Sequence, residues 1–406
     1  MRTRTAAACV TASLALALTA CGSDDGTAEG NDSGPLKVGV IASLTGPSSE
    51  TFKVTPDAAD ARIKQYVADG GECADRFDGY ELVKADDTNT PEGALRMAQR
   101  LVQQDKVDVI LQGTAAFYGA SQFLTTDPAA KKIPVLGGGF DGAPVYMSTD
   151  NNVFANFAPI DFEVTYTTYG ELMKKVGGTK AAVIAYDNPS SAPSAEATIR
   201  SIKASGLEVA YENLKIPYGS TDVGAVTQGM IDAGVDTLIT SLNPETAFGV
   251  IGGLKQAGHE MKLVQLPIGY SAQLLESEPS VQAGQDVSFS TSSAPMELHN
   301  EATEKRSAAL KTIGNDSGIA GFAEDQGYLA ADMLIFGLEE AGCDSNGEEI
   351  MAALRETNTW DGSGLLPLPR DFGSAEAGDQ QCSYYVKLTG KEFVPVSEEP
   401  ICGDKI

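Results

Sequence analysis

The sequence predicts an α/β fold with two doubly wound lobes, each built on a parallel sheet. Short apolar runs alternate with helical patterns through much of the 406 residues, and this alternation is typical of crossover units that cover a parallel sheet on both faces. The alternation occurs twice, with a break near residues 156–159. A chain of this length is also expected to form more than one domain.

The first set of alternating elements begins after residue 35. Apolar runs predict strands at 36–42, 80–85, 107–111 and 133–136, and a helical pattern at 58–67 follows the first strand. Thr90 and Pro91 are typical of an N-cap and the first turn of a helix. The apolar face of that helix carries Ala94, Met97, Ala98 and Leu101, which recur at the helical period.

The second set of elements has the same character. Apolar runs predict strands at 181–185, 207–211, 237–239 and 263–266, and apolar periodicity predicts helices at 195–202 and 223–230. Gly206 is a suitable residue to end the first of these helices. Residues 296–357 are predicted to be mostly helical, and residues 382–396 to form a hairpin.

The N-terminus carries the features of an export signal. Arg2 and Arg4 precede a mostly apolar run at 6–20, which is shorter than the roughly 20 apolar residues of a membrane-spanning helix. The run ends in Leu18-Thr19-Ala20-Cys21, which resembles a bacterial lipobox and predicts lipidation of Cys21. An ordinary signal that contains a cysteine is the alternative.

Residues 22–35 carry no large apolar side chain and are predicted to form a flexible tether. Residues 1–20 would then be the signal peptide, and 21–35 the lipidated cysteine and its tether. We therefore expect an extracytoplasmic protein that a lipid alone anchors to the outer face of the cell membrane.

The cysteines of the body favour disulfides. The body carries Cys73, Cys343, Cys382 and Cys402, an even number that outside the cytoplasm favours two disulfides. Cys382 and Cys402 flank the predicted hairpin, so we expect them to pair, which leaves Cys73 to pair with Cys343. Zinc binding is the alternative, but the sequence has no C-x-x-C spacing and both histidines are far from these cysteines.

Charge and missing motifs exclude several classes of function. The net charge of −27 opposes nucleic-acid binding, since neutralising phosphates needs the opposite sign. No G-x-S-x-G, P-loop or H-E-x-x-H motif is present, and His259 and His299 lie in charged or polar segments typical of solvated side chains. We therefore expect no catalytic residues, no cofactor and no metal.

The glycine-rich segment 137–142 matches G-x-G-x-x-G. A dinucleotide site would require this segment to open a long helix in the first crossover unit. Here the segment follows a fourth predicted strand, and no long amphipathic pattern comes after it. Contact between its backbone and a ligand is the better interpretation.

The loops after the strands are the candidate ligand-binding segments. In open parallel sheets a ligand binds outside the carboxyl ends of the strands, and two facing sheets create a cleft there. Gly, Ser, Thr and Asn are frequent in these loops, and small residues expose backbone amides that can hold a carboxylate. Such residues are common in loops generally. The loops span 44–49, 87–89, 113–118, 137–141, 187–191, 243–245 and 269–271, and they include Asn89 and Asn243.

Short segments along nearly the whole body follow the pattern of one known family. They are Val38-Gly39-Val40 leading to Leu44-Thr45-Gly46-Pro47, Asp86-Asp87-Thr88-Asn89, Asp105-Lys106-Val107, Ile133-Pro134-Val135, Tyr328-Leu329-Ala330-Ala331, and Asp361-Gly362-Ser363-Gly364 with Asp371-Phe372-Gly373. In this order and spacing they resemble the type I periplasmic binding proteins of the leucine/isoleucine/valine group. The resemblance implies two lobes, joined by a three-crossover hinge, that close on a ligand and deliver it to a branched-chain amino-acid type ABC permease and its ATPase.

The resemblance also implies lobe boundaries and site residues. Lobe one would comprise 36–157 plus 291–360, and lobe two 158–290 plus 361–406; we expect a monomer. Backbone and hydroxyl groups that hold an α-carboxylate match Thr114, Ala115, Gly137 and Gly139 here. The aromatic residues that flank the ligand match Phe52, Phe140 and Tyr270.

One departure from the family bears on the ligand. The family's amino-acid binders carry an acidic residue before a glycine in a lobe-two loop, where it pairs with the ligand ammonium, and this chain has Ile268 before Gly269. A buried ammonium without a counter-charge is costly. Either Glu245 or Asp187 substitutes, or the ligand is a small carboxylate or amide, aromatic ones included, rather than an α-amino acid.

The expected function is that of a transport receptor. The alternatives are a sensor that hands its closed form to a signalling protein, and a cell-surface enzyme. Receptor and sensor both use hinge closure, so only the partner distinguishes them, whereas an enzyme would turn its ligand over.

Overall fold

The described part of the chain folds around two sheets. The computed structural model describes residues 34–46, 49–140, 143–188, 191–217, 220–374 and 378–406. Residues 35–406 belong to one unit, separate from residues 1–34. The predicted signal peptide, the lipidation site Cys21 and nearly all of the tether lie outside the described residues.

The strands and helices alternate in the order that the sequence predicts. The strands are β1 (Lys37–Ala42), β2 (Glu81–Asp86), β3 (Val109–Gly113), β4 (Val135–Leu136), β5 (Val153–Phe154), β6 (Lys180–Tyr186), β7 (Glu208–Ile216), β8 (Thr237–Ser241), β9 (Leu263–Leu266), β10 (Ser288–Thr291), β11 (Gln380–Thr389), β12 (Glu392–Pro395) and β13 (Ile401–Asp404). The helices are α1 (Ser49–Phe52), α2 (Thr55–Ala68), α3 (Pro91–Arg100), α4 (Tyr118–Thr126), α5 (Thr168–Lys175), α6 (Ser191–Ala204), α7 (Gly224–Ala233), α8 (Pro244–Gln256), α9 (Ala272–Glu276), α10 (Glu278–Ala283), α11 (Glu301–Lys311), α12 (Phe322–Ala341) and α13 (Gly347–Glu356).

The first sheet is parallel and has the order β2-β1-β3-β4-β5. Thr90 caps α3 as predicted, because its side chain accepts a hydrogen bond from the backbone N–H of Gly93. The two-residue strand β5 was not predicted, since two residues carry no periodicity to recognise.

The second sheet has the order β12-β11-β10-β9-β8-β6-β7, with β13 also paired to β11. Its members β6 to β10 are parallel, and β11 is antiparallel to β10, β12 and β13. The predicted hairpin is therefore β11 and β12. The predicted fold, two doubly wound α/β lobes with mostly parallel sheets, is confirmed.

The late helices complete the core of the first lobe. Leu329, Leu334 and Leu338 of α12 lie fully buried in one hydrophobic cluster with Val38 and Val40 of β1. The described chain therefore passes between the lobes three times: after β5, after β10 and before β11. Leu365, Leu366 and Phe372 also belong to this first cluster, although we assigned the residues after 360 to lobe two, and we propose to move that boundary beyond Phe372.

A buried ion pair fixes the second crossing. The Arg306 guanidinium donates to Asp325 Oδ1 at 2.6 Å and to Ser293 Oγ at 2.7 Å. Arg306 and Asp325 are 1% and 5% exposed. Because α11, α12 and the segment after β10 each supply one of these residues, the pair holds the crossing segment against lobe one.

The cysteines pair as predicted. Cys73 bonds to Cys343 and Cys382 bonds to Cys402. The first disulfide ties the segment after α2 to the segment after α12, and the second joins β11 to β13 across their antiparallel register. Within the described residues, no helix is long and apolar enough to cross a membrane.

Candidate ligand-binding cleft

A cavity of about 620 Å³ lies between the two sheets, at the carboxyl ends of their strands. The first lobe contributes Gly139, Phe140, Phe154, Ala155 and Phe322, and the second contributes Ser194, Ser241, Leu242, Asn243, Pro267, Ile268 and Ser290. All three crossing segments also line the cavity, through residues at 157–162, 290–292 and 366–374. Any motion of one lobe against the other would therefore change the shape of this cavity.

Aromatic rings form the lobe-one wall. The rings of Phe140 and Phe322 meet edge to face with centroids 5.0 Å apart, and Phe157 lies 6.4 Å from Phe322. Phe52 packs behind them, 6.5 Å from Phe140 and 5.9 Å from Phe322. This wall suits a flat or apolar ligand surface, because aromatic rings contribute large apolar area with defined geometry.

Hydroxyl groups form the lobe-two wall. Ser194 and Ser241 place their Oγ atoms 3.5 Å apart, and Ser290 Oγ donates to the carbonyl of Pro267 at 3.3 Å. Serine hydroxyls both donate and accept hydrogen bonds. The cavity thus combines an apolar side with a polar side, as small-molecule sites generally do.

Charged groups line the end of the cavity near the third crossing. The Arg355 guanidinium donates to the carbonyls of Phe372 at 2.7 Å and Asn151 at 2.8 Å, and it lies over the Phe154 ring. Arg370 lies over the ring of Phe372. Burial lowers the pKa of both arginines to about 10, so both remain cationic at neutral pH. The carboxylates of Asp161, Asp371 and Asp379 line the same cavity.

Residues 35–392 of this chain match a model of the periplasmic binding protein family.

The chain belongs to the periplasmic binding protein family.

Solved structures share its fold. A solute-binding protein of an ABC transporter from R. palustris in complex with benzoate is 18% identical, with a TM-score of 0.68 over 92% of this chain and 98% of that one. A leucine-binding protein from Thermotoga maritima is 17% identical, with a TM-score of 0.69 over 89% and 97%. A fatty acid ABC transporter substrate-binding protein from Thermomonospora curvata is 20% identical, with a TM-score of 0.68 over 90% and 92%. No curated protein sequence matches the chain.

The family match and the shared fold place this protein among the type I periplasmic binding proteins, a family that implies an extracytoplasmic location. The resemblance seen in the sequence is thereby confirmed. Neither histidine lines the cleft: His259 Nε2 lies 2.7 Å from the carbonyl of Val235, and His299 Nδ1 lies 2.9 Å from Glu304 Oε1.

The predicted lobe-one loops of this periplasmic binding protein do come together. Thr114 donates its hydroxyl hydrogen to buried Asp87 and lies 3.2 Å from the hydroxyl of Ser43. Asn89 donates its backbone N–H to Asp87 at 2.8 Å and its side-chain amide to Ser43 at 3.4 Å. These side chains bond to one another beneath the cleft, so their predicted contact with a ligand stays a prediction. Ala115 adjoins Thr114 and is half-buried.

The glycines after β4 take positive φ angles. Gly137 has φ +121°, and a Cβ there would lie 2.2 Å from the Gln112 carbonyl. Its N–H donates to the Phe154 carbonyl at 2.8 Å. The glycine is therefore required by close backbone packing. Among the predicted lobe-one residues, Gly139 and Phe140 reach the cavity wall; Asp141 and Gly142 lie outside the described residues.

The predicted lobe-two residues divide into two groups. Asn243, before the first turn of α8, lines the cavity, and so does Ile268. Asp187 and Glu245 are exposed and do not belong to the described cavity lining. Tyr270 instead donates its hydroxyl hydrogen to Glu297 at 2.7 Å and packs against Phe393.

The cavity residues of the crossing segments were not predicted. Arg370, Asp161 and the wall serines were not singled out. The one available signal is the position of Arg370, immediately before Asp371-Phe372-Gly373, which we recognised as a family element. Among the described residues, no group of three or more His, Cys, Asp or Glu side chains is arranged to hold a metal ion.

Proposed function

We propose that this protein is an extracytoplasmic, lipid-anchored receptor that captures a small molecule between its lobes and delivers it to a branched-chain amino-acid type ABC importer. The observation that carries the proposal is a cavity of about 620 Å³ that both lobes and all three crossing segments line together. A ligand that contacts both walls stabilises the closed arrangement, because it binds that arrangement better than an open one. The permease and its ATPase would then recognise the closed form.

We propose that the ligand is an amino acid or a related small carboxylate or amide, with aromatic acids included. The phenylalanine wall provides the apolar surface, and the serine wall and Arg370 provide polar groups. Ile268 stands in the wall where the family's amino-acid binders carry an acid, which favours ligands without an ammonium group. Structural neighbours in complex with benzoate and with 4-hydroxybenzoate accommodate such ligands on this fold.

A binding screen tests the proposal. The protein spanning residues 35–406, which forms one unit, would be heated with single amino acids, aromatic and aliphatic carboxylates, and their amides. A ligand present at 100 times its Kd raises the free energy of unfolding by about 2.7 kcal/mol. At least one compound should raise the melting temperature, and that compound should be recovered unchanged. If no compound shifts the transition, or if the compound is turned over, the receptor proposal is wrong.

The lipid anchor has its own test. The lipobox at residues 18–21 supports lipidation of Cys21, and Cys21→Ala should release the protein from the membrane fraction. The matched control is Cys9→Ala, which changes a cysteine inside the signal and should leave the protein membrane-bound. Membrane association that survives Cys21→Ala would contradict the anchor.

A further inference from the structure

We propose that Arg370 is the anion-binding residue of the cleft, and that the ligand is a monocarboxylate whose remainder is aromatic or alkyl. The inference rests on the proposed function, because it takes the cavity between the lobes to be the solute site. In this proposal Arg370 binds the carboxylate of the ligand, and the phenylalanine wall contacts the apolar remainder of the ligand.

The Arg370 guanidinium lines the cavity without a polar partner. Among the described residues it forms no ion pair and donates no side-chain hydrogen bond, and its Nε is inaccessible to solvent. Its backbone N–H donates to the Trp360 carbonyl at 2.7 Å, which fixes the main chain. A guanidinium carries five N–H donors, so this group is held in the cavity with its hydrogen-bonding capacity unused.

The neighbouring acid Asp371 forms no ion pair with Arg370, although its charge acts to raise the pKa of that guanidinium against the lowering by burial. Asp371 is exposed, and its Oδ1 accepts from the N–H of Gly373 at 2.9 Å. Asp161 uses its Oδ1 to accept from the N–H of Glu163 at 2.9 Å. Burial, and after it the charges of Asp161 and Asp379, raises the pKa of the nearby Tyr166. The charge of Arg370 is therefore available to a ligand.

Two other arginines have acceptors for their terminal N–H groups, although the Nε of Arg306, like that of Arg370, has none among the described residues. Arg355, in the same cavity, donates to the carbonyls of Phe372 and Asn151. Arg306 binds Asp325 and Ser293. Arg306 and Arg355 thus each donate from terminal N–H groups to acceptors in the fold, whereas Arg370 does not among the described residues. Withdrawing a cation from water without an acceptor is costly, and a bound anion would reduce that cost.

The chemistry of the surroundings selects the ligand class. A planar guanidinium matches a carboxylate with two parallel hydrogen bonds. Phe154, Phe157 and Phe322 line the same cavity and can cover an apolar remainder. The wall position of Ile268 offers no counter-charge for an ammonium group.

Calorimetric titration of the protein with paired probes tests the inference. The probes are benzoate, 3-phenylpropanoate, octanoate, leucine and phenylalanine, each beside its neutral primary amide, at constant salt. We expect an apolar monocarboxylate to bind at least 10-fold more tightly than its amide. Arg370→Gln should weaken binding of that acid about 10- to 100-fold, because a charge-assisted hydrogen bond is lost, and should abolish the preference for acid over amide.

Two variants control the measurement. Arg96→Gln makes the same charge change at an exposed position of α3, outside the cavity lining, and should leave the affinity within 2-fold. Arg370→Lys keeps the charge but not the fork geometry, and should retain part of the acid preference. Arg370→Gln should unfold at the same or a higher temperature without ligand, since it removes a half-buried charge that has no ion-pair partner among the described residues; a purely structural arginine would give the opposite result.

The outcomes separate the two proposals. If the unmodified protein binds a probe but prefers the amide, or if Arg370→Gln retains the acid affinity, Arg370 is not the anchor and the receptor function still stands. If no probe binds the unmodified protein, the inferred ligand class is wrong, and the receptor function fails only if the wider screen also finds no ligand. The comparison of acid with amide needs no mutation, so it tests the ligand class even if Arg370→Gln does not fold, and Arg370→Lys then tests the residue.

Discussion

The two disulfides provide a sharp test of how this fold is stabilised, because they close loops of very different length. Cys73–Cys343 spans 270 residues of sequence, whereas Cys382–Cys402 spans 20. The perturbation is the removal of each pair separately, as the double variants Cys73→Ala/Cys343→Ala and Cys382→Ala/Cys402→Ala. Both variants delete the same atoms, so they differ chiefly in the loop that is opened.

The magnitude follows from the entropy of the unfolded chain. In the chain-entropy model the longer loop contributes about 5.6 kcal/mol and the shorter loop about 3.3 kcal/mol. These values are upper bounds, since residual structure in the unfolded chain reduces them. The expected difference is about 2 kcal/mol, with the loss of Cys73–Cys343 the more destabilising.

Urea unfolding, followed by circular dichroism, measures the difference. Each variant is compared with the oxidised parent protein through the midpoint and the slope m. A steeper m in the Cys73→Ala/Cys343→Ala variant would show that its unfolded chain exposes more surface. If removing Cys382–Cys402 is equally or more destabilising, the argument from loop length is refuted, and the stabilisation must come from native contacts of the β11–β13 ladder.

Three further predictions concern other parts of the molecule. Asp236→Asn should lower the free energy of unfolding by about 2 kcal/mol at neutral pH, because Asp236 accepts hydrogen bonds from the backbone of Thr179 and Lys180 and from Lys262. These bonds lower the pKa of Asp236, so its contribution is present above the unfolded pKa of about 3.9 and is lost as the pH falls towards the folded value; parent and variant should therefore converge in acid. Gly327→Ala should destabilise the protein by about 3 kcal/mol, because its Cβ would lie 2.1 Å from the Thr55 carbonyl where α12 crosses α2. Ile268→Glu should weaken binding of any carboxylate ligand at least 10-fold, because it introduces a like charge into the cavity wall.

Each of these predictions has a matched control. Ile268→Leu, which adds no charge, is the control at position 268. Ile406→Glu adds the same charge as Ile268→Glu at a side chain that is 62% exposed and lies outside the cavity lining. Gly337→Ala changes the same helix as Gly327→Ala, but its Cβ would meet side chains, Ile350 at 2.9 Å and Leu354 at 3.4 Å, rather than backbone, so the variant should be clearly less destabilising. For Asp236→Asn, a stability difference that stays constant from neutral pH into acid would contradict the assigned ionisation.

Much of the architecture was predictable because its signals are local. Alternating apolar runs predicted β1, β2, β6, β8 and β9, and the Thr90 cap predicted the start of α3. Strands β5 and β10 were missed because both are short. β5 has two residues, and β10 has four, three of them polar, which is too few to show a clear alternation of apolar and polar residues. Their strand character comes from pairing with β4 and with β9 and β11, which no local pattern encodes.

The candidate site was less predictable than the fold. The loop rule placed Gly139, Phe140, Asn243 and Ile268 near the ligand, and these do line the cavity. The same rule named Thr114 and Asn89, which do not belong to the described cavity lining. The Thr114 hydroxyl instead donates to Asp87, and the Asn89 side-chain amide donates to Ser43. Sequence alone cannot tell which polar side chain of a loop is satisfied by its neighbours, since those neighbours lie on other strands.

The sequence by itself determined the α/β class, the family and the presence in the body of four cysteines able to form two disulfides, because periodicity, motif order and cysteine count are properties of the linear chain. The tertiary structure decided which residues share the cleft. Segments at 157–162, 290–292 and 366–374 meet there although more than a hundred residues separate the first from the second. Whether a polar group such as Arg370 is left without an acceptor depends on every side chain packed around it. These side chains come together only when both lobes and their three connections have folded.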